Sequence, residues 1–467
     1  MLPLKFDQRN KIIFSHGALS QILSGIFLKF SRNACVFIFL YRLLFLPCLI
    51  LYLPQAIWHM LRRGGYGRGF LQRFGIFLKI PRCPEGRKRI WLHGVSVGEV
   101  HVLEPLVRHL AATGFYDLVI TATTSTGLAV ARKIYANCGT VTAFPIDFWL
   151  FSRLTWKRIA PQILLHADGE LWPEHLHQAR RHGVPFFIVN ARLSPRGYRR
   201  YKKVKVFARK FFARAEKIFV ASPETARQLD SIGICEKKIF DVGNLKCDRP
   251  PQTPLRENER IKLLEELSLT ENDSHDSTFP ILLGCSTWPG EEELLIDVLF
   301  QLRTADRRWK LVLIPRHGER RCELRKLLTS KQLTSHFRTD TRKNAGTADV
   351  AVVDTAGELS HFIGIGTVAL LGKTLPPNHG AQSPLDAVAA GVPLVCGPNV
   401  ENFRDILDAL CACGAVAREK DREHVAEKLS ELCGNLNLRA KMADAGTDWL
   451  RQNVGAAERI YAHIAAV

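Results

Sequence analysis

Beyond Arg82, apolar runs of four to seven residues alternate with longer stretches whose apolar positions recur at helical spacing. The runs fall at Arg89–His93, Asp117–Thr121, Gln162–His166, Pro185–Asn190, Lys217–Ala221 and Ile239–Gly243. The alternation restarts at Pro280–Cys285, Lys310–Ile314, Val350–Asp354, Gly366–Gly372 and Pro393–Cys396. Near-continuous apolar strands separated by helices predict parallel sheets covered on both faces. Between the two series lie Arg249-Pro-Pro-Gln-Thr-Pro254, a charged helical stretch and Thr270-Glu-Asn-Asp-Ser-His-Asp-Ser277, a connection with little core.

The amino end follows another pattern. From Ala34 to Met60 the chain is apolar except for Arg42, Gln55 and His59. That run is long enough for a membrane span of about 20 residues. Pro47 and Pro54 kink it, which membrane helices tolerate. No small-residue cleavage site follows, so it is not a signal peptide. Arg62, Arg63, Arg68 and Arg73 come after it, and Tyr52 and Trp58 suit the interface. Lys29 and Arg32 flank the other side, so a kinked segment lying in one leaflet suits both ends. The predicted organisation is therefore a membrane anchor with a basic juxtamembrane segment over residues 1–82. A doubly wound α/β domain over 83–250, a linker over 251–278 and a second α/β domain over 279–467 follow. The cleft between two such domains is the default place for a ligand.

A formal charge of +20 points to anionic partners: nucleic acid, phosphorylated substrates or an anionic membrane. The basic stretch Arg199–Arg214 interleaves cations with aromatics, and beside an anchor it suits anionic lipid rather than nucleic acid. The twelve cysteines are scattered, with no C-x-x-C pair, which indicates reduced thiols in the cytosol. No H-E-x-x-H, D-x-D, P-loop or G-x-S-x-G pattern occurs, so no metal or other cofactor is expected.

Candidate chemistry collects where strands end. Trp91-Leu-His-Gly-Val-Ser-Val-Gly-Glu-Val100 reads as a strand, a small-residue turn and a helix start carrying Glu99. Open α/β sheets bind ligands at this end, although a Glu in a first helical turn is also favoured by the helix dipole. Asp168-Gly-Glu-Leu-Trp-Pro173 places two carboxylates after a strand, suited to acid–base work or to capping the next helix. In Gly243-Asn-Leu-Lys-Cys-Asp248, Lys246 can offset charge on a departing phosphate. Ile314-Pro-Arg-His-Gly-Glu319 offers Arg316 and His317 to a phosphate or base. The turn Gly284-Cys-Ser-Thr-Trp-Pro-Gly-Glu-Glu292 has hydroxyls and N–H groups for an anion, or a plain N-cap. In Gly380-Ala-Gln-Ser-Pro-Leu-Asp386, Ser383 reads as an N-cap and Pro384 as the first helical residue, with the helix start facing an anion and Asp386 facing ribose hydroxyls.

In this order the segments resemble the 3-deoxy-D-manno-octulosonic acid (Kdo) transferases of lipopolysaccharide synthesis. The series is Ser96–Glu99, Asp168–Pro173, Asn190–Ser194, Gly243–Lys246, Ser286–Glu292, Pro315–His317, Gly357–Leu359, Pro384–Asp386 and Gly397–Phe403. The resemblance covers residues 38 to 455 and implies two Rossmann-like domains of the type B glycosyltransferase architecture behind an N-terminal apolar membrane-anchor helix. It implies inverting transfer from CMP-Kdo to the tetraacyldisaccharide 1,4'-bisphosphate precursor of lipid A, without metal, on the cytoplasmic face of the bacterial inner membrane. Glu99 would be the general base. Asp168 and Lys246 would stabilise the transition state. Pro315, Arg316, Ala356, Gly357, Glu358, Ser383, Pro384, Leu385 and Asp386 would hold the nucleotide. The chain departs from the family pattern in four places: Asp168 stands for a Glu, Ser383-Pro-Leu-Asp386 for N-P-L-E, Gly380-Ala-Gln for G-G-H, and Gly372-Lys-Thr374 for G-G-S. A UDP-sugar-dependent type B transferase acting on a membrane lipid is the competing enzyme reading. A non-catalytic membrane-tethered descendant is the other, and the joint presence of Glu99, Lys246 and Arg316 argues against it.

Overall fold

The computed structural model describes residues 38–45, 47–51, 69–76, 80–169, 172–193, 195–248, 251–270, 279–340, 348–355 and 357–466. They form two compact units. One takes the chain up to Asp248 together with Gly455 onward, and the other runs from there to Val454.

The first unit is built on a seven-stranded parallel sheet of order β3-β2-β1-β4-β5-β6-β7. Its strands are β1 (Lys88–Gly94), β2 (Tyr116–Ala122), β3 (Thr140–Ala143), β4 (Ile163–Ala167), β5 (Phe186–Ala191), β6 (Lys217–Val220) and β7 (Ile239–Asp241). Side chains alternate between faces along each strand. Trp91, Leu164, Ile188 and Ile218 enter one core, while Ile90, Leu92, Leu165, Phe187 and Val189 enter the other. Both faces are covered, which explains why the sequence shows continuous apolar runs here rather than polar alternation.

The described part of the expected anchor, residues 38–45 and 47–51, is helical. Ile38, Tyr41 and Phe45 are buried in the first unit's core beside Trp172, Leu176 and Phe212. Phe39, Leu43, Ile50 and Leu51 are exposed, Leu51 at 80%. Among the described residues no helix is long and apolar enough to cross a membrane. The apolar stretch read as an anchor therefore spends one face on the protein's own core. Two buried polar links pin it. Tyr41 Oη donates to Asp147 Oδ2 at 2.8 Å. The Arg42 guanidinium is bidentate on the fully buried Glu174, at 2.9 and 2.7 Å. Tyr52, Trp58, Arg62, Arg63 and Arg68 lie outside the described residues, and Arg73 is buried.

The second unit repeats the plan with order β10-β11-β9-β8-β12-β13-β14. These strands are β8 (Ile281–Thr287), β9 (Lys310–Pro315), β10 (Ser335–Phe337), β11 (Val350–Val352), β12 (Val368–Leu371), β13 (Leu394–Cys396) and β14 (Val416–Arg418). The expected linker is not without core. Helix Glu257–Glu266 buries Leu263 and Leu264, and Gln252 N–H bonds to the Ala389 carbonyl at 2.7 Å. Residues 271–278 lie outside the described set.

The carboxyl end of the chain departs from the expected domain over 279–467. Helix Ala456–Ala465 belongs to the first unit and lies against helix Val97–Ala112. Ala457, Ile460 and Ile464 join the core that holds Leu103 and Leu106. Asp248 caps this last helix, accepting from the N–H groups of Gly455 and Ala457. An acidic cap meets both the unpaired amides and the dipole of a helix start.

Candidate active site

In the first unit the sequence-predicted residues lie past the carboxyl ends of β1, β4 and β7. Glu99 stands in the first turn of helix Val97–Ala112. Its carboxylate reaches back along the turn, accepting from Val95 N–H at 2.6 Å and from Ser96 Oγ at 3.3 Å. The turn is crowded by backbone. A Cβ on Gly94 would lie 3.2 Å from the Glu99 Cβ, and the neighbouring loop is tied in by Thr124 N–H to the Val95 carbonyl at 2.9 Å. The helix-start reading is met. Glu99 braces the helix start, and that brace fixes the direction of a half-buried carboxylate.

Asp168 and Lys246 fall into one cluster with two residues the sequence reading gave no role. Asp168 follows β4 in the left-handed region (φ 60°), and Asn190 near the end of β5 does the same (φ 55°). Asn190 Nδ2 donates to Asp168 Oδ1 at 3.2 Å, and Asn190 Oδ1 accepts from Leu245 N–H at 2.9 Å. One side chain thus clamps β4, β5 and the turn bearing Lys246. Arg192 N–H bonds to the Asp168 carbonyl at 3.3 Å. The Asp168 carboxyl keeps some accessible surface, yet the enclosing protein pushes its pKa up. The charges of Arg192 and Lys246 and the Asn190 bond pull it back. Burial lowers the Lys246 ammonium, Arg192 adds to that, and Asp168 opposes both. Two cations therefore act on one enclosed carboxyl, and negative charge added there meets positive charge. Asn190 and Arg192 were visible only as part of the Asn190–Ser194 motif. Their role depends on two strand ends meeting, which spacing does not report. Glu170, the second acid of the pair, lies outside the described residues.

Beneath this cluster, His93 and His166 face each other across β1 and β4, ring centres 5.2 Å apart. Burial, with the neighbouring His166 and His175, holds His93 well below the usual imidazole range. It is a neutral floor, packed on Phe144 at 3.6 Å and bonded to Thr121.

In the second unit, Pro315 ends β9 and Arg316 follows it, exposed, its N–H on the Thr287 carbonyl at 3.1 Å. Gly318 admits no side chain, because a Cβ would lie 2.3 Å from the Asp354 carbonyl. Gly357 is left-handed (φ 88°), with open space where a Cβ would stand. Glu358 accepts from the Thr355 hydroxyl and lies 3.7 Å from the Arg338 guanidinium. Ala356 lies outside the described residues. Helix Leu385–Ala389 starts one residue later than expected, with Pro384 in the cap position and Ser383 Oγ accepting from Leu385 N–H at 3.4 Å. Asp386 sits in its first turn; burial raises the Cys285 thiol near the end of β8, and the Asp386 charge adds to it.

The Ser286–Glu292 turn is not the open anion cradle its small residues suggest. Glu291 is fully buried and fills it from inside, accepting from the N–H groups of Trp288, Lys373, Thr374 and Leu375 at 2.9, 2.9, 3.0 and 3.3 Å. Burial still pushes its carboxyl up to about 7. Glu292 is paired with Arg320 at 2.6 Å. Glu291 thereby fixes the loop after β12, where the departure Lys373 is left-handed (φ 64°). The Lys373 ammonium lies 4.9 Å from the Trp288 ring centre, and Trp288 meets His317 edge-on at 5.2 Å. Ser286 and Ala381, at φ 55° and 58°, complete the strained set at this end of the sheet. Strain of about 1–3 kcal/mol per residue gathers at ligand sites.

Two parallel-sheet α/β units with charged, strained strand ends define the architecture of type B glycosyltransferases. A glycosyltransferase of Rickettsia africae superposes with a TM-score of 0.56 at 14% identity, covering 81% of this chain and 97% of that one. HepE of Anabaena, solved with UDP, gives 0.56 at 12% identity, covering 81% and 100%. At such identities the likeness is one of fold. Sequence carries the assignment further. Residues 68–249 match the family described as 3-deoxy-D-manno-octulosonic-acid transferase. The transferase of that name from Chlamydophila psittaci is 26% identical over 432 residues, covering 92% of this chain and 96% of its own. That of Haemophilus influenzae is 27% identical over 398 residues, covering 85% and 90%. Over most of its length the chain is thus similar to the Kdo transferases, and it is a glycosyltransferase.

Proposed function

We propose that the protein transfers Kdo from CMP-Kdo to the tetraacyldisaccharide 1,4'-bisphosphate precursor of lipid A, with inversion and without a metal. The observation that carries this is Glu99, a directed carboxylate past the end of the inner strand β1 in a chain similar to this family. Glu99 takes the proton of the acceptor hydroxyl as its oxygen attacks the anomeric carbon. The bond from that carbon to the CMP phosphate breaks, and CMP leaves with the electron pair. Lys246 and Arg192, beside Asp168, supply positive charge to the anionic reactants. Arg316, Lys373 and the helix start at Ser383–Asp386 receive the nucleotide phosphate, with Pro315, Ala356, Gly357 and Glu358 completing that site.

The protein works on the cytoplasmic face of the inner membrane. Exposed Phe39, Leu43, Ile50 and Leu51, and the basic helices Pro195–Lys203 and Lys205–Phe212, support a seat on an anionic surface. The test is transfer by the purified full chain from CMP-Kdo or UDP-sugars to the synthetic precursor, read by product mass, with and without EDTA. A Kdo-bearing product formed at equal rate in EDTA is expected. Activity with a UDP-sugar alone, or a rate restored only by added Mg²⁺, overturns the reading.

A further inference from the structure

A second concentration of charge lies at the opposite end of the first sheet. A cavity of about 610 Å³ opens where Pro185 and Phe186 lead into β5. Asn190, at the transfer-site end of the same strand, is roughly 13 Å away at the ordinary rise per residue. Leu176, Val184 and Phe186 give the cavity an apolar wall, and Arg180 and Arg214 line it as well.

Among the described residues neither guanidinium has a hydrogen bond or ion pair with a carboxylate, although Glu216 also lines the cavity. Arg214 Nη1 is enclosed and lacks a hydrogen-bond partner among the described residues, and its guanidinium carbon stands 5.1 Å from the Phe211 ring centre. Burial, with the like charge of Arg180, pulls Arg214 below its usual range. Helix ends account for part of this. Arg180 closes helix Pro173–Arg181 and Arg214 follows helix Lys205–Phe212, where the dipole favours cations. A dipole does not supply a partner for an enclosed N–H, however. Folded proteins pair or hydrogen-bond cations withdrawn from water. Two guanidinium forks on one cavity match a phosphate, and the apolar wall favours a ligand with a hydrocarbon body. Leu176 and Phe186 belong to the same core as Ile38, Tyr41 and Phe45, which lie on the helix whose outer face exposes apolar side chains.

We propose that this cavity binds the phosphate of an anionic lipid, at a site separate from the one that carries out transfer. It is tested on the full-length protein in neutral detergent. The protein is titrated with dihexanoyl phosphatidylglycerol, dihexanoyl phosphatidylcholine and glycerol 3-phosphate. Arg180→Gln, Arg214→Gln and the double variant are compared with the parent. Phosphatidylglycerol is expected to bind the parent more tightly than either other ligand. The double variant should bind it about tenfold more weakly or worse, as loss of charge-assisted bonds implies. CMP affinity should stay unchanged throughout. Arg180 is exposed, so Arg180→Gln keeps the test valid even if Arg214→Gln misfolds; it should show part of the loss. Unchanged phosphatidylglycerol affinity in Arg180→Gln and the double variant overturns the site. Equal affinity for phosphatidylcholine overturns the anionic requirement. Equal affinity for glycerol 3-phosphate, lost in the variants, shows a free-phosphate site and overturns the lipid.

Discussion

At the scale of single residues, Glu99 has a bracing role and a proposed chemical one, and they can be separated. In the Glu99→Gln variant the amide carbonyl still accepts from Val95 N–H, so the helix start survives, while the base is gone. Under the proposed role, this substitution lowers the transfer rate on the order of 10²–10⁴-fold, with an unchanged melting temperature. A rate within threefold of the parent would remove Glu99 from the mechanism. Asp147 offers a different measurement. Burial pushes its carboxyl up to about 7, against the bonds from Tyr41 and from the N–H groups of Glu174 and His175. Between the unfolded value of about 3.9 and that folded value, the native state binds more protons than the unfolded chain. Its contribution to stability is therefore full below about pH 4 and falls as pH rises towards 7. Asp147→Asn has no such proton to lose. Its melting temperature should decline less than the parent's between pH 4.5 and 7.5. Parallel curves would mean that Asp147 stays ionised throughout.

At the scale of elements, the strands hidden from the sequence are β3, β10 and β14. Each is three or four residues long and lies at a sheet edge, pairing with one neighbour. Thr-Val-Thr-Ala, Ser-His-Phe and Val-Ala-Arg carry too little apolar length to stand out, whereas the central strands are buried on both sides. The same logic covers the site. Glu99, Asp168 and Lys246 each follow a legible strand. Arg192, the Glu291 clamp and the Lys373–Trp288 contact join segments far apart in sequence, which no local pattern reports. The apolar stretch after Ala34 was legible as helix and hydrophobe, but not its partner, because helical periodicity cannot distinguish a lipid tail from Phe212. Arg42 marks the difference. A guanidinium in that run bonds a carboxylate with no solvent exposure. Arg42→Ala strands the Glu174 charge and should cost about 1–3 kcal/mol. Arg42→Met with Glu174→Gln should recover most of the loss. If the single variant melts with the parent, the helix is not docked through this pair.

At the scale of the whole molecule, two doubly wound units were legible from the repeated alternation, but the chain's return to the first unit was not. Helix Ala456–Ala465 is amphipathic like any other, and nothing in its sequence says which sheet it covers. Its address is written in Asp248, two hundred residues earlier, whose carboxylate caps it. Ile460 and Ile464 are buried in the first unit, a burial worth on the order of 3–6 kcal/mol for the two side chains together. A chain ended at Val454 should therefore lose stability in the unit that carries Glu99, Asp168 and Lys246, although the deletion removes none of them. In calorimetry one transition should move to lower temperature and the other should stay. CMP affinity, which the proposed reading places in the second unit, should be retained, while transfer is weakened at any temperature where the first unit has opened. Loss of CMP binding with both transitions unmoved would put the nucleotide contacts at the carboxyl end of the chain, and the donor site would have to be redrawn there.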